Sequence, residues 1–262
     1  MSGATRSKIL LVATVLLIAS GCGTSDYNQL VDRGVATLRS SVKFHGLFGP
    51  STIPGTPYSV RVPVLYTNSY NQQSAHPDDG DKINPQRLQA PFMPASLPTK
   101  LMFEGTVKEG NRKLPFYCYI TAVEAKPGDA DRIASEIATG LKSVSPDQAP
   151  VWEPVDADTP TGKAIPWRRI RAEGEQPFMV KVDDQLEIQK LPGVYEVWLH
   201  EDSDQVVMIG WRAPKSIEGP QTNDIQVSGG LVLPVPNAKP DLSKWPVLTA
   251  GTLERSAAAA PP

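Results

Sequence analysis

Cysteine and histidine are scarce in this chain, at two and three in 262 residues, and the chemistry that depends on them is correspondingly excluded. His45, His76 and His200 lie far apart and no Cys-x-x-Cys occurs, so zinc and haem centres fail for want of ligands. There is no Gly-x-Ser-x-Gly elbow, no Ser-x-x-Lys with the companion elements of a penicillin-binding site, no P-loop, and no Gly-x-Gly-x-x-Gly after a strand. No catalytic residue, metal ligand or cofactor is therefore expected. A surplus of one charge is also missing. The formal net charge is −2 and the isoelectric point about 6.0, without the basic stripe that replaces phosphate counterions, which argues against nucleic acid as a partner.

Long apolar runs are lacking as well, with one exception. Ile9 to Ala19 is apolar apart from Thr14, is preceded by Arg6 and Lys8, and is followed by the small residues Ser20 and Gly21. Cationic, apolar and small segments in that order are an export signal. As a helix the run rises roughly 16 Å, well short of the ~30 Å hydrocarbon core, so a permanent transmembrane helix is the poorer reading. The residue after the small pair is Cys22. Over about the first 22 residues the chain resembles the bacterial lipoprotein family, departing from it at Ala19, where that family most often has Leu. The resemblance implies a diacylglyceryl group on the Cys22 thiol, cleavage that makes Cys22 the new N-terminus, and acylation of its amine. With each buried methylene contributing about 0.8 kcal/mol, two or three chains hold a protein on a bilayer where one does not. Gly23 rather than Asp after the anchor implies the outer membrane over the inner one, on its periplasmic or surface face. A signal that merely contains a cysteine, or an uncleaved anchor, is the alternative.

The expected organisation is a signal peptide over 1–21, a lipidated tether over 22–25, one domain over 26–214, and an irregular, partly disordered extension over 215–262. Cleavage leaves Cys118 as the second cysteine, in Phe116-Tyr117-Cys118-Tyr119-Ile120, where a buried small hydrophobe fits better than a nucleophile. Proline, at 26 residues, is about twice its usual ~5%, which points to irregular connections.

Periodicity predicts a helix over 26–43, capped by Asp26 and carrying Leu30, Val31, Val35, Leu38 and Val42. A strand is expected over 58–67, then a pair with Leu101, Phe103 and Val107 on one face and Phe116, Cys118 and Ile120 on the other member, joined through Glu109-Gly110-Asn111-Arg112. A helix capped by Asp129 should present Ile133, Ala134, Ile137 and Leu141, followed by strands over 167–172 and 178–182 and a long hairpin closed by Pro214. Helix, strands, helix, strands in this order predict an α+β fold: an antiparallel sheet with flanking helices, proline-rich loops and an irregular C-terminal tail.

Two charged features are candidate sites. Glu201, Asp202 and Asp204 crowd one hairpin tip, so something must offset their repulsion. Alternation places Arg169 and Arg171 on the face of Trp167, setting guanidinium groups beside an indole, and this face is the candidate surface for an anionic envelope polymer or an envelope protein. The function expected is therefore that of a lipid-anchored exported envelope protein engaged in non-enzymatic binding or assembly. The alternative is a hydrolase-type enzyme whose site is assembled from scattered carboxylates or His200.

Overall fold

The computed structural model describes residues 31, 47, 49–63, 66, 68–71, 90–94, 97–147, 149–220, 225–226 and 241–256. Cys22 and nearly all of the helix expected over 26–43 lie outside these residues. Gly46–Thr159 with Ala164–Pro262 forms one compact unit.

The α+β expectation is overturned. Among the described residues there are eleven strands in two antiparallel sheets and only two α-helices, so the fold is β-rich. The larger sheet contains β3 (Asn68–Asn71), β4 (Leu101–Glu109), β5 (Arg112–Glu124), β6 (Glu153–Asp158), β7 (Ala164–Val182), β8 (Gln185–Asp202), β9 (Gln205–Pro214) and β10 (Ile225–Gln226). It runs β10-β4-β5-β9-β8-β7-β6, with β3 also on β4. The smaller sheet is β1 (Ser51–Thr52), β2 (Tyr58–Val60) and β11 (Glu254–Arg255). The helices are α1 (Asp129–Val144) and α2 (Trp245–Ala250).

Each face of the large sheet carries its own core. On one face α1 delivers Ala130, Ile133, Ala134, Ile137 and Leu141 against Tyr119, Ile170, Tyr195, Val197 and Met208, with Phe92 and Leu97 filling in beside the helix. On the other, Phe103, Phe116, Cys118, Ile120, Trp198, Ile209 and Trp211 meet Ile53, Tyr58, Val60 and Tyr66 together with Leu242, Trp245, Ala250 and Leu253. All ten residues of β9 are buried, because alternate side chains enter the two cores. The β4–β5 pair has the expected face, with Phe103 opposite Cys118 and Leu101 opposite Ile120. The Cys118 thiol is pushed up to about 12 by burial, which leaves it an inert packing group.

Several local expectations need correcting. Residues 241–256, assigned to an irregular extension, instead carry α2 and β11 and supply core residues. The two strands expected over 167–172 and 178–182 are one nineteen-residue strand, since Glu173 to Pro177 stay paired with Val194 to Lys190. Asp129 does not cap α1 by accepting from its first turn: the cap position is Gly128, and the Asp129 carboxylate accepts from the backbone N–H of Lys126 at 2.9 Å.

Where β9 ends, β7 takes its place beside β5: β5 pairs with β9 at Tyr117–Glu124 and with β7 at Arg112 and Lys113, so β5, β9, β8 and β7 form a closed circuit. Arg212 stands at that junction, in register between Tyr117 and Tyr195. Its guanidinium lies 4.4 Å from the Phe178 ring centre, 5.6 Å from Tyr117 and 5.9 Å from Tyr195, and donates to the Pro177 carbonyl. Three rings and a carbonyl thereby offset the cost of burying a cation.

Gly140 lies where α1 crosses the Phe92 backbone, and a Cβ there would collide with the Phe92 carbonyl oxygen. Helix propensity alone would make Gly140→Ala stabilising by about 1 kcal/mol. We expect the opposite sign, a loss of about 1–3 kcal/mol by urea denaturation, because the rigid backbone opposite cannot yield cheaply.

Candidate functional site

On β7, residues 167, 169, 171 and 173 alternate onto one face, and the register sets Arg169 opposite Trp198 and Arg171 opposite Glu196. The Arg169 guanidinium sits 5.9 Å from the Trp198 ring centre, so the indole beside the arginine comes from β8. Trp167 is instead buried in the core, edge-on to Trp198 at 6.3 Å and 5.2 Å from the His200 ring. The three candidate residues share a face, but Trp167 offers no surface for a ligand.

The two arginines differ in how firmly they are held. Arg171 bonds Glu218 closely, Glu173 at 3.0 Å, and approaches Glu196 at 3.7 Å, while Lys215 bonds Glu173 from the far side. Glu196 is buried and accepts from Trp198 Nε1 at 2.5 Å; burial raises its pKa above the usual carboxylate value. The Glu218 hydrogen bond is the main reason Arg171 is held still more firmly in its charged form. Arg169, in contrast, has one ion pair among the described residues, to Glu153 at 2.9 Å, and the Glu153 side chain is 62% exposed; Glu196 acts on it only at longer range. Arg168, on the opposite face, pairs with Asp131 of α1 at 2.7 Å. A cleft of about 450 Å³, lined by Ala149, Pro150, Val151, Glu153, Arg169 and Arg171, opens over this arrangement.

A ligand anion can therefore reach Arg169 by displacing an exposed carboxylate, whereas at Arg171 it would compete with three acids, one of them buried. Sequence alternation placed both arginines on one face, and Glu173 lies two residues on along the same strand, but Glu196 and Glu218 come from β8 and from the turn after β9, contacts that periodicity does not encode.

The acidic hairpin tip is neutralised from an unexpected direction. Arg255, on β11, bonds Asp202 at 2.9 Å and Asp204 at 3.1 Å, and the Tyr58 hydroxyl donates to Asp202. Neither Arg168, Arg169 nor Arg171 takes part. The Tyr58 hydrogen bond is the largest influence on Asp202, followed by the Ser203 N–H, and with Arg255 they bring its pKa down to about 2.

His200 hydrogen-bonds through Nδ1 to the Pro166 carbonyl at 2.8 Å and lies against Trp167. Neither contact is an acid or a hydroxyl. Among the described residues no group of three or more His, Cys, Asp or Glu side chains is placed to hold a metal ion, and no helix is long and apolar enough to cross a membrane. Compared with protein families, with curated proteins and with solved structures, the chain matches none.

Removing each arginine in turn separates their roles. Arg171→Ala leaves a buried carboxylate without its nearest cation and should cost about 1–3 kcal/mol, while Arg169→Ala should cost about 0.5 kcal/mol, read by urea denaturation. The tip gives a pH signature. A free aspartate titrates near about 3.9, so a carboxylate held at about 2 in the fold adds stability above about pH 4 and loses it as pH falls towards 2. The Arg255→Ala chain should have a lower urea midpoint at pH 6, and the gap from the parent chain should narrow between pH 4 and pH 2.

Proposed function

We propose that the chain is an exported protein held on a membrane by lipid attached to Cys22, with a non-enzymatic role in binding or assembly within a cell envelope. The observation that carries this reading is the position of Cys22, directly after a cationic, apolar and small-residue series. Lipid on that thiol would supply an attachment whose strength comes from buried methylenes, independently of the β-rich body. Gly23 supports the outer membrane over the inner one.

The binding surface we assign to the body is the cleft beside Arg169. Its chemistry suits an anionic group of an envelope polymer or protein: a guanidinium with one exposed, displaceable partner, backed by the Trp198 ring. Arg171, bound by three acids, positions the strand face beneath it. The His200 contacts give a hydrolase reading no support.

Cys22→Ser tests the anchoring directly. The parent chain should fractionate with membranes and carry a diacylglyceryl-modified Cys22 by mass spectrometry, and the variant should leave the membrane fraction. An unmodified thiol at Cys22, or a variant that stays with membranes unchanged, refutes the reading.

A further inference from the structure

Two open edges of the large sheet are built differently. At one end β6 presents Glu153, Pro154, Asp156 and Asp158, the charges and proline that keep an edge from pairing with another chain. Within the sheet, β8 runs on past the end of β9, so that Gln185 to Pro192 has β7 on one side and no strand on the other among the described residues. This stretch carries Leu186, 65% exposed, and Ile188, 74% exposed, the most exposed large hydrophobic residues described besides Val151.

The backbone there is as available as the side chains. The β7–β8 turn has two residues, Asp183 and Asp184, both with positive φ, at 45° and 67°, which is the type I′ geometry of a tight hairpin. Such a turn is closed by a hydrogen-bonded pair, here Val182 and Gln185, and bonded pairs recur at every second position: Val180 with Glu187, Phe178 with Gln189, Gln176 with Leu191. Leu186, Ile188 and Lys190 therefore direct their N–H and C=O groups away from β7. Pro177 fits this phase. It lies opposite Lys190, where no bond to β8 is made, and its carbonyl turns outward to Arg212. The arm is also firmly seated, since Val182 and Lys181 pair with Arg112 and Lys113 of β5, and Asn111 Nδ2 donates to Asp183 at 3.1 Å.

We infer that this edge pairs with the same edge of a second copy of the chain, antiparallel, about a two-fold axis through Ile188. The sequence Leu186-Glu187-Ile188-Gln189-Lys190 is complementary to itself in that register. Ile188 meets Ile188, Leu186 meets Lys190 whose stem covers it, and Glu187 meets Gln189, so no like charges are opposed. Moving the axis to Glu187 would set two carboxylates face to face. The outward groups of Leu186, Ile188 and Lys190 then form about six bonds between the copies, extending the sheet across both. An isologous edge contact of this kind closes on itself and ends at the dimer.

A single cysteine scan distinguishes this register from chance collision. In a hydrogen-bonded antiparallel pair the Cα atoms are about 5.5 Å apart, within the range a disulfide spans, so Ile188→Cys in the full chain should cross-link to itself under mild oxidation. Leu186→Cys, equally exposed but four residues out of register with its copy, should yield about tenfold less. In sedimentation the full chain in detergent should have twice the protein mass of one chain. Ile188→Pro, which removes only an outward N–H, should return it to a single chain with its thermal midpoint kept. Equal cross-linking at 186 and 188, a dimer that survives Ile188→Pro, or a single chain at all concentrations overturns the inference. So does a single chain that instead binds anionic phospholipid vesicles through Leu186 and Ile188.

Discussion

A strand whose ten residues are all buried is the constraint around which this molecule is arranged. Because β9 sends Val207, Ile209, Trp211 and Ala213 into one core and Val206, Met208 and Arg212 towards the other, both faces of the sheet at its centre must be covered. One amphipathic helix together with Phe92, Met93 and Leu97 covers the first face. The second is covered by material with no comparable periodicity, namely the short β1-β2-β11 sheet and α2. The C-terminal segment is thus a structural wall. Arg255 adds a second tie from it, by charge, to a hairpin tip whose three acids would otherwise repel one another.

The legibility of the sequence follows from this architecture. Where apolar residues recur at the period of the element, the pattern could be read directly: α1 with Ile133, Ile137 and Leu141 on its buried face, and β4–β5 with Phe103 and Cys118 in register, even though Met102 and Tyr119 bury the other face of that pair. Where edge charges or single-residue contacts dominate, it could not. Glu153-Pro154-Val155-Asp156 gives no sign of β6, because an edge strand is under pressure to look unlike a strand. Glu173-Gly174-Glu175 suggests a break in β7, yet the Glu173 carboxylate is held by Arg171 and Lys215, and Gly174 lies where a Cβ would strike the Val144 carbonyl. The α+β expectation came from weighing two periodic segments as if every sheet cover must be a helix.

The candidate site shows the same division. Alternation alone put Arg169 and Arg171 on one face, and this holds. It could not supply the register that brings Trp198 to Arg169, nor the acids, since Glu218 lies 47 residues from the arginine it binds. The electrostatic difference between two neighbouring arginines is therefore largely a tertiary property: one is fixed by a buried and two partly buried carboxylates, whereas the other, among the described residues, is hydrogen-bonded only to the exposed Glu153 and feels buried Glu196 at longer range.

Placement of charge also accounts for the length of the β7–β8 arm. An isolated two-stranded ribbon is marginal in water, and this one projects beyond the strand that would have covered its flank. It is stabilised at its base by Arg212, whose rings come from β5, β7 and β8 together, and at its tip by pairing with the β5 end. Both ties include β7, through Phe178 and Pro177 at the base and Lys181 and Val182 at the tip. Among the described residues no strand bonds the outer edge of β8 over Gln185 to Pro192, so the fold fixes the geometry of that edge without using it. A rigid edge has little conformational freedom left to lose on association, and it is this ordering, more than the small area that Leu186 and Ile188 contribute, that would favour pairing there.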